Sequence, residues 1–276
     1  MSEPIAPSAP KRCVRAVYYF AALLLALVVV GVWWYRAGSP RATLIAGDTV
    51  NSVAFSPDGK VLAAGSYRYD YNRHQPEGII ILWDVATHRR TASWVAHGDF
   101  ITSLAFDPDG RTLTSAAIAR ENGETSSEVK VWDMSTHSQV GGPKTVKSAK
   151  PFPVTSPDGR VIARHGGGGT VVLADAAGAE LFRLQADPHQ LNCAAFSPDG
   201  RVLATGGGDT RGGGPSPILG ENGDLRLWDV GTGRLLVRYN RHWWGAIEAV
   251  AFSPDGKLVA SASLDGSVKL WDVPGP

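Results

Sequence analysis

Most of the chain consists of short runs in which apolar and polar residues alternate, and this pattern predicts β-strands. One such run, Ala249-Val250-Ala251-Phe252, comes before a Pro-Asp-Gly turn, and another, Leu258-Val259-Ala260, follows it. Because Pro-Asp-Gly favours a tight turn between two strands, each unit of this kind predicts a β-hairpin. Runs with a helical period are absent from residues 36–276, so this part of the chain is predicted to be all-β.

The hairpin unit recurs, so the chain contains an internal repeat. The turn segments share a Pro-Asp-Gly ending and lie at residues 55–59, 106–110, 155–159, 196–200 and 252–256. A second signature, an apolar run ending in Trp-Asp, follows four of them and contains Trp83, Trp132, Trp228 and Trp271. The third unit has Ala174 in place of this Trp. Successive turn prolines are 41 to 56 residues apart, a period typical of four-stranded propeller blades.

On these two signatures, residues 41–276 resemble the WD-repeat (WD40) β-propeller family. The resemblance implies a five-bladed propeller over residues 36–276, with blades at about 47–95, 96–146, 147–186, 187–240 and 241–276. It also implies that residues 41–46 complete the last blade and close the ring, which removes open sheet edges. A truncated ring, or one completed by a second chain, is the alternative.

In this family a buried series of His, Ser or Thr, Asp and Trp locks each blade by hydrogen bonds. The fifth unit matches the series with His242, Ser261, Asp265 and Trp271. The other units match in part, with Trp83 in the first, His97, Ser115 and Trp132 in the second, and His189, Thr205 and Trp228 in the fourth. Ser126 and Asn222 stand where the second and fourth units would have the Asp, and the third unit has Arg164 and Ala174. Although these residue types also occur in hydrolase triads, partial copies in several units indicate packing, so we predict no catalytic residue.

The N-terminal segment has a different character. Residues 16–35 are uncharged and largely apolar, which is long enough for a helix to cross a bilayer. Aromatic residues near both ends and cations on both sides are typical of a membrane anchor. We therefore expect a single-pass membrane protein, with a cytoplasmic tail at 1–15, an anchor at 16–35 and the propeller on the extracytoplasmic side. A cleaved signal sequence and a buried core helix are the alternatives.

Charge and cysteine content exclude other partners. The formal net charge is +1, without a concentrated basic region in the repeats, so we expect no nucleic-acid partner. The two cysteines, Cys13 and Cys193, cannot form a disulfide framework, and no paired Cys and His spacing predicts a zinc site. Neither a cofactor nor a metal ion is predicted.

Long connections are the candidate binding elements, because extra residues on a rigid scaffold often carry function. Three connections between the second and third strands of a unit are long, at residues 66–78, 118–127 and 207–223. By the resemblance, the first shares one face with the entry to the fifth unit. Tyr, Trp and Arg dominate binding hot spots, so we predict a partner-binding patch formed by Tyr67, Arg68, Tyr69, Tyr71, Arg73, Trp243 and Trp244. The alternative is that these side chains only pack locally.

The sequence thus predicts a membrane-anchored WD-repeat propeller that is a non-catalytic protein-protein interaction scaffold for protein or peptide partners. One alternative is a propeller enzyme of the glycosidase or lyase type, whose carboxylates would converge at the central channel. The other is an envelope propeller that resembles TolB, although the recurrent Trp-Asp argues against it.

Overall fold

In the computed structural model, the regular secondary structure of the described residues consists of β-strands. The structure describes residues 39–121, 124–146, 153–187, 190–208, 223–242 and 245–275. These strands form five four-stranded antiparallel sheets. The predicted all-β, antiparallel architecture is therefore confirmed.

Twenty strands succeed one another along the chain. They are β1 (Ala42–Ile45), β2 (Thr49–Phe55), β3 (Val61–Asp70), β4 (Gln75–Asp84), β5 (Arg90–His97), β6 (Ile101–Phe106), β7 (Thr112–Glu121), β8 (Glu124–Asp133), β9 (Lys144–Val146), β10 (Val154–Thr155), β11 (Val161–Gly167), β12 (Thr170–Asp175), β13 (Glu180–Gln185), β14 (Leu191–Phe196), β15 (Val202–Gly207), β16 (Gly223–Asp229), β17 (Leu235–His242), β18 (Ile247–Phe252), β19 (Leu258–Ser263) and β20 (Ser267–Asp272). Sheets 1 to 4 each contain four consecutive strands, starting at β2, β6, β10 and β14. Sheet 5 has the order β1-β20-β19-β18.

The Ser-Pro-Asp-Gly segments form the tight turn between the first two strands of a sheet. In sheet 1, the Ser56 hydroxyl donates to Asp58 Oδ1 at 2.7 Å and accepts from the Val61 N–H at 2.9 Å. Gly59 closes the turn with a φ of 71°, a conformation that other residues adopt at a cost. The hydrogen bond from Ser56 is the largest influence on the pKa of Asp58 and lowers it. The residues of the turn therefore determine its backbone shape and also favour the ionised form of the Asp58 carboxyl.

The first strand of the fold completes the last sheet. Strand β1 pairs antiparallel with β20, with Ala42 opposite Leu270 and Ile45 opposite Ser267. Leu44 is 4% exposed and packs in a cluster with side chains of sheets 5 and 1. Since β1 is only four residues long, burial of Leu44 is the main apolar contribution of this strand.

The core lies between neighbouring sheets. We call the face that carries the Trp of the Trp-Asp signature, or Ala174 in sheet 3, the indole face of a sheet, and the opposite face its small face. Buried clusters join the small face of one sheet to the indole face of the next for the pairs 3 and 4, 4 and 5, 5 and 1, and 1 and 2. Trp83, for example, packs in one cluster with Ala260 and Leu270 of sheet 5. Each sheet in these pairs therefore depends on its neighbour for burial.

Two of the predicted long connections are extensions of strands. Strands β3 and β4 remain paired as far as Asp70 and Gln75, so a turn at 71–74 replaces the loop expected at 66–78. Strands β7 and β8 likewise remain paired as far as Glu121 and Glu124. The physical reason is that continued pairing satisfies backbone groups that a loop would leave to solvent. Much of the third connection, residues 209–222, lies outside the described residues.

The predicted membrane location requires a correction. The predicted anchor at 16–35 lies outside the part of the chain that the structure describes, and within that part no helix is long and apolar enough to cross a membrane. A single membrane span needs a continuous helix to satisfy its backbone hydrogen bonds. The prediction of a single-pass membrane protein with an extracytoplasmic propeller is therefore wrong.

The pairing of β1 with β20 predicts a position-specific loss of stability. We expect Leu44→Ala to lower the free energy of unfolding by about 2 to 3 kcal/mol, because it leaves a cavity between sheets 5 and 1. Ile45→Ala, on the same strand, should change it little because Ile45 is 69% exposed. Denaturant unfolding followed by tryptophan fluorescence measures both. Equal losses in the two variants would contradict the role given to Leu44.

Candidate functional site

The hydrogen-bonded series of sheet 5 lies at the end of β17 and on β19 and β20. Trp271 Nε1 donates to Ser261 Oγ at 2.8 Å, and Ser261 Oγ lies 2.7 Å from His242 Nε2. His242 Nδ1 lies 2.9 Å from Asp265 Oδ2. Because Ser261 Oγ accepts the indole proton, its own hydroxyl proton is available for Nε2, which leaves the Nδ1 proton of a neutral imidazole to be donated to Asp265.

Burial controls the charge of this series. It is the largest influence on the pKa of His242 and lowers it, against the hydrogen bond to Asp265, which raises it. Burial raises the pKa of Asp265, but hydrogen bonds from His242 and Ser267 and the charge of Lys269 outweigh it and hold this pKa at about 2. The series therefore contains a neutral imidazole and an ionised carboxylate at neutral pH.

The arrangement is closed to a substrate. A serine, a histidine and an aspartate in series are the components of a nucleophile with its base and its orienting acid. Here, however, Ser261 and His242 are fully buried, and Ser261 Oγ is hydrogen-bonded to the indole of Trp271. Because no face of the hydroxyl is open to solvent, the geometry favours a packing role over nucleophilic attack.

Sheet 2 contains the same series with a different acid. Trp132 Nε1 donates to Ser115 Oγ at 2.8 Å, and His97 Nε2 lies 2.7 Å from that oxygen. His97 Nδ1 lies 2.7 Å from Glu128 Oε2, so Glu128 occupies the place expected for Ser126. Ser126 instead donates weakly to the Ala119 carbonyl at 3.4 Å. The reason is that β7 and β8 continue as paired strands here, so the acid comes from strand β8 and not from a turn.

Sheets 4 and 1 contain parts of the series, and sheet 3 has other residues at its Trp and hydroxyl positions. In sheet 4, Trp228 Nε1 donates to Thr205 Oγ1 at 2.9 Å, whereas His189 and Asn222 lie outside the described residues. Buried Asp224 pairs with Arg226 at 3.1 Å and Arg238 at 2.7 Å. Trp83 of sheet 1 is buried in the core cluster that contains Ala64, which has no hydroxyl. In sheet 3, Ala174 is buried and Arg164 is exposed.

Two acids that the sequence comparison missed share one spacing. Glu128 lies four residues before Trp132, and Asp224 lies four residues before Trp228. Because side chains alternate along a strand, both acids lie on the same face as the Trp. Counting residues back from the Trp in steps of two, which stays on one face of the strand, would have found both acids. Placing the acid by the turn that precedes the strand led instead to Ser126 and Asn222.

A second candidate site is the end of the β3–β4 hairpin, residues 67–77, which we call the hairpin end. Arg68 Nη2 contacts Glu77 Oε2 at 2.5 Å, and Arg73 lies 3.8 Å from Glu77 and 3.6 Å from Asp70. The Glu77 side chain is only 7% exposed, so its charge is buried between two guanidinium groups. These ion pairs connect both strands and the turn, and they stiffen the hairpin end.

Aromatic rings occupy the other face of the hairpin end, because Tyr67 and Tyr69 alternate with Arg68 along β3. Tyr67 stacks on Phe100, which lies in the connection between β5 and β6, with ring centroids 3.8 Å apart and planes 10° from parallel. Tyr69 and Tyr71 contact each other edge to face, with centroids 5.2 Å apart. Tyr71 is 80% exposed and Tyr69 is partly exposed, so the tyrosine cluster offers aromatic surface to a partner.

Five of the seven predicted patch residues lie on this one hairpin end, with Tyr67 and Tyr69 on the face of β3 opposite to that of Arg68. Their contacts differ. Tyr67 stacks on Phe100 and Arg68 donates a hydrogen bond to Glu77, whereas the Tyr71 side chain is largely exposed to solvent. Trp243 and Trp244 lie outside the described residues. A cleft beside the hairpin end is lined by Arg73, Pro76, Glu77, His97 and Lys130.

Comparison with known proteins gives one family. The model of the WD40 family, described as WD domain, G-beta repeat, matches residues 38–84, 88–133, 179–229 and 233–272. The matched segments contain all four Trp-Asp signatures, and the unmatched stretch between them includes most of sheet 3. The family model therefore recognises the units that carry a tryptophan.

Curated relatives contain the same kind of repeat at low identity. The chain is 26% identical over 241 residues to the serine-threonine kinase receptor-associated protein of Gallus gallus, covering 87% of this chain and 59% of that protein. It is 27% identical to the periodic tryptophan protein 2 homolog of Dictyostelium discoideum, covering 71% and 20%, and 27% identical to telomerase protein component 1 of Mus musculus, covering 85% and 8%. The chain thus spans 59% or less of these relatives.

The position of Glu128 can be tested against that of Ser126. We expect Glu128→Gln to lower the free energy of unfolding by about 1 to 3 kcal/mol, because the charged hydrogen bond to buried His97 is lost. Ser126→Ala, two residues away, should have an effect within about 0.5 kcal/mol. Both are measured by denaturant unfolding at pH 7.5. An equal loss of unfolding free energy in Ser126→Ala and Glu128→Gln would show that Glu128 is not the acid that supports His97.

The buried histidines predict that stability decreases in mild acid. A histidine whose pKa is lowered by folding binds its proton more readily in the unfolded chain, so unfolding takes up protons as the pH falls below about 6.5. We expect the free energy of unfolding to decrease between pH 7.5 and pH 5.5. The decrease should be smaller in His242→Gln, which should also be less stable at pH 7.5 by a few kcal/mol.

The control for this measurement is His74→Gln, because His74 is exposed at the turn of the hairpin end. This variant should retain the stability and the pH dependence of the original chain. A His242→Gln variant with an unchanged pH dependence would show that His242 is not the titrating group.

Proposed function

Because the chain belongs to the WD-repeat (WD40) family, we propose that it is a non-catalytic scaffold for protein or peptide partners. The five four-stranded sheets are then propeller blades, and β1 completes the last of them. The buried series His242, Ser261, Asp265 and Trp271, with its partial copies, holds blades in shape. The contact with a partner is then made by exposed residues outside this buried series.

The observation that carries this proposal is the rigid, aromatic hairpin end. Its tyrosines are large side chains with few rotatable bonds, and such residues dominate binding hot spots. The ion pairs of Glu77 with Arg68 and Arg73 order the hairpin before any partner arrives. Because less conformational freedom is then lost on binding, a preformed surface of this kind favours affinity.

The names of the relatives are compatible with a scaffold. One similar protein is named as a receptor-associated protein and another as a component of telomerase, so both names describe association with other molecules. Since this chain spans 59% or 8% of those proteins, their partners are not transferred to it.

An enzyme of the glycosidase type is less well supported. Such enzymes use a pair of carboxylates at one site. Among the described first strands of the five sheets, β2, β6, β10, β14 and β18, the only carboxylate is Glu248, whose Oε1 accepts from Asn192 Nδ2 at 3.1 Å. Burial raises the pKa of Glu248, but a second carboxylate is not placed beside it by these strands.

Site-specific crosslinking tests the role of the hairpin end. A photoreactive phenylalanine analogue replaces Tyr71 in the full chain inside cells, and crosslinked proteins are identified by mass spectrometry. We expect a partner that is enriched several-fold over a control with the same analogue at Leu235, which is 47% exposed on β17. The Tyr69→Ala variant should reduce this adduct and weaken affinity by about 1 kcal/mol or more.

The same experiment separates binding from folding. Tyr69→Ala should leave the free energy of unfolding nearly unchanged, whereas Trp271→Ala should reduce capture only in proportion to the unfolded fraction. Identical adducts at positions 71 and 235 would mean that the hairpin end is not the binding surface.

A further inference from the structure

The small face of sheet 2 differs from the equivalent face of every other sheet. It consists of two cross-strand rows on β6, β7 and β8, and the rows contain Ser103, Ala116 and Val129, and Ala105, Thr114 and Val131. We call these six residues the sheet 2 small face. In sheets 1, 3, 4 and 5, residues of the equivalent rows are buried in core clusters, whereas none of these six residues is buried.

Exposure confirms the difference. Ser103 and Ala105 are exposed, and the other four residues of the sheet 2 small face are partly exposed. In sheet 5, by contrast, the corresponding Ala260, Ala262, Val268 and Leu270 are completely buried against the indole face of sheet 1. Sheet 2 therefore exposes to solvent a face that, in each of the other four sheets, is covered by the neighbouring sheet.

Sheet 3, the next sheet along the chain, is poorly built to cover this surface. Its indole face has Ala174 where sheets 1, 2, 4 and 5 have a Trp. On the same face it has the exposed Arg164 where those sheets have a buried Ala, Ser or Thr next to the Trp. An arginine cannot be buried against uncharged side chains without a partner for its charge. The indole that fills the equivalent space in the other sheet pairs is therefore missing here.

The turns show the same interruption independently. A Cβ atom built on Gly110 would lie 3.5 Å from Pro57 of the preceding sheet, and one on Gly200 would lie 3.7 Å from Pro157. Gly256 and Gly59 have matching contacts with Pro198 and Pro254 at 3.7 and 3.5 Å. At Gly159 of sheet 3 nothing lies within 4 Å, so no described residue of sheet 2 reaches it.

We propose that the sheet 2 small face is a docking surface for a β-hairpin of a partner protein that presents an aromatic ring, best an indole. The argument is the chain's own packing, because the same face is covered by a tryptophan-bearing sheet in the four other sheet pairs. The face itself is uncharged, which excludes a highly charged partner surface. Exposed Lys144, which pairs with Val129 at the rim, favours an acidic residue beside the ring.

This surface is distinct from the hairpin end, which belongs to sheet 1, so the two proposals can fail separately. The first measurement is thiol labelling of the full chain carrying Cys13→Ser, with Ala116→Cys or its register equivalent Ala262→Cys added. We expect the Ala116→Cys variant to react at least tenfold faster with a maleimide, because Ala262 is completely buried. Equal rates would show that sheet 3 covers the face, and they would overturn the proposal.

The second measurement uses a backbone-cyclised peptide of residues 257–273, which contains Trp271, as the probe. We expect the probe at millimolar concentration to slow labelling of the Ala116→Cys variant several-fold, and the same peptide with Trp271→Ala to have no effect. Val131→Lys in the protein should abolish the protection without changing the free energy of unfolding. Absence of protection, or equal protection by the alanine peptide, would overturn the docking role.

Discussion

The buried indole of the Trp-Asp signature is the element on which the rest of the structure depends. Its ring fills the space between two sheets, and its N–H must find an acceptor because an unpaired polar group in the core is costly. Ser115, Thr205 and Ser261 provide that acceptor in sheets 2, 4 and 5. In these three units packing and hydrogen bonding therefore constrain two positions together, the Trp and its hydroxyl partner, and the repeat in the sequence reflects this constraint.

The strands and turns could be read from the sequence because they follow local rules. Alternating apolar residues on both sides of Pro-Asp-Gly specify a hairpin without reference to the rest of the chain, and the hairpins of the five sheets lie where this pattern stands. The acid of the series was harder to find, because it depends on how far two strands remain paired. Ser126 and Glu128 differ by one step of alternation, and only the extended pairing of β7 with β8 favours the second.

The candidate surfaces illustrate the same limit. Tyrosine and arginine in one segment suggested a contact surface, but the sequence could not show that Glu77 lies buried between the two arginines or that Tyr67 stacks on Phe100 of the β5–β6 connection. The stacking joins residues from separate segments of the chain, and the ion pairs depend on how far β3 and β4 remain paired, so neither follows from a local sequence pattern. The apolar length of residues 16–35 led to a predicted membrane location, whereas no helix of the described residues is long and apolar enough to cross a membrane.

The pairing of β1 with β20 also has a kinetic consequence. The two strands are more than 200 residues apart, as the contact of Arg41 with Asp272 shows, so sheet 5 has a very high contact order. Such pairings form late, because the entropy of closing a long loop is lost before the contact is gained. During synthesis the strand at 42–45 must wait until the ribosome has passed residue 272. Until then its edge is open, and chaperones or nascent partners can reach it.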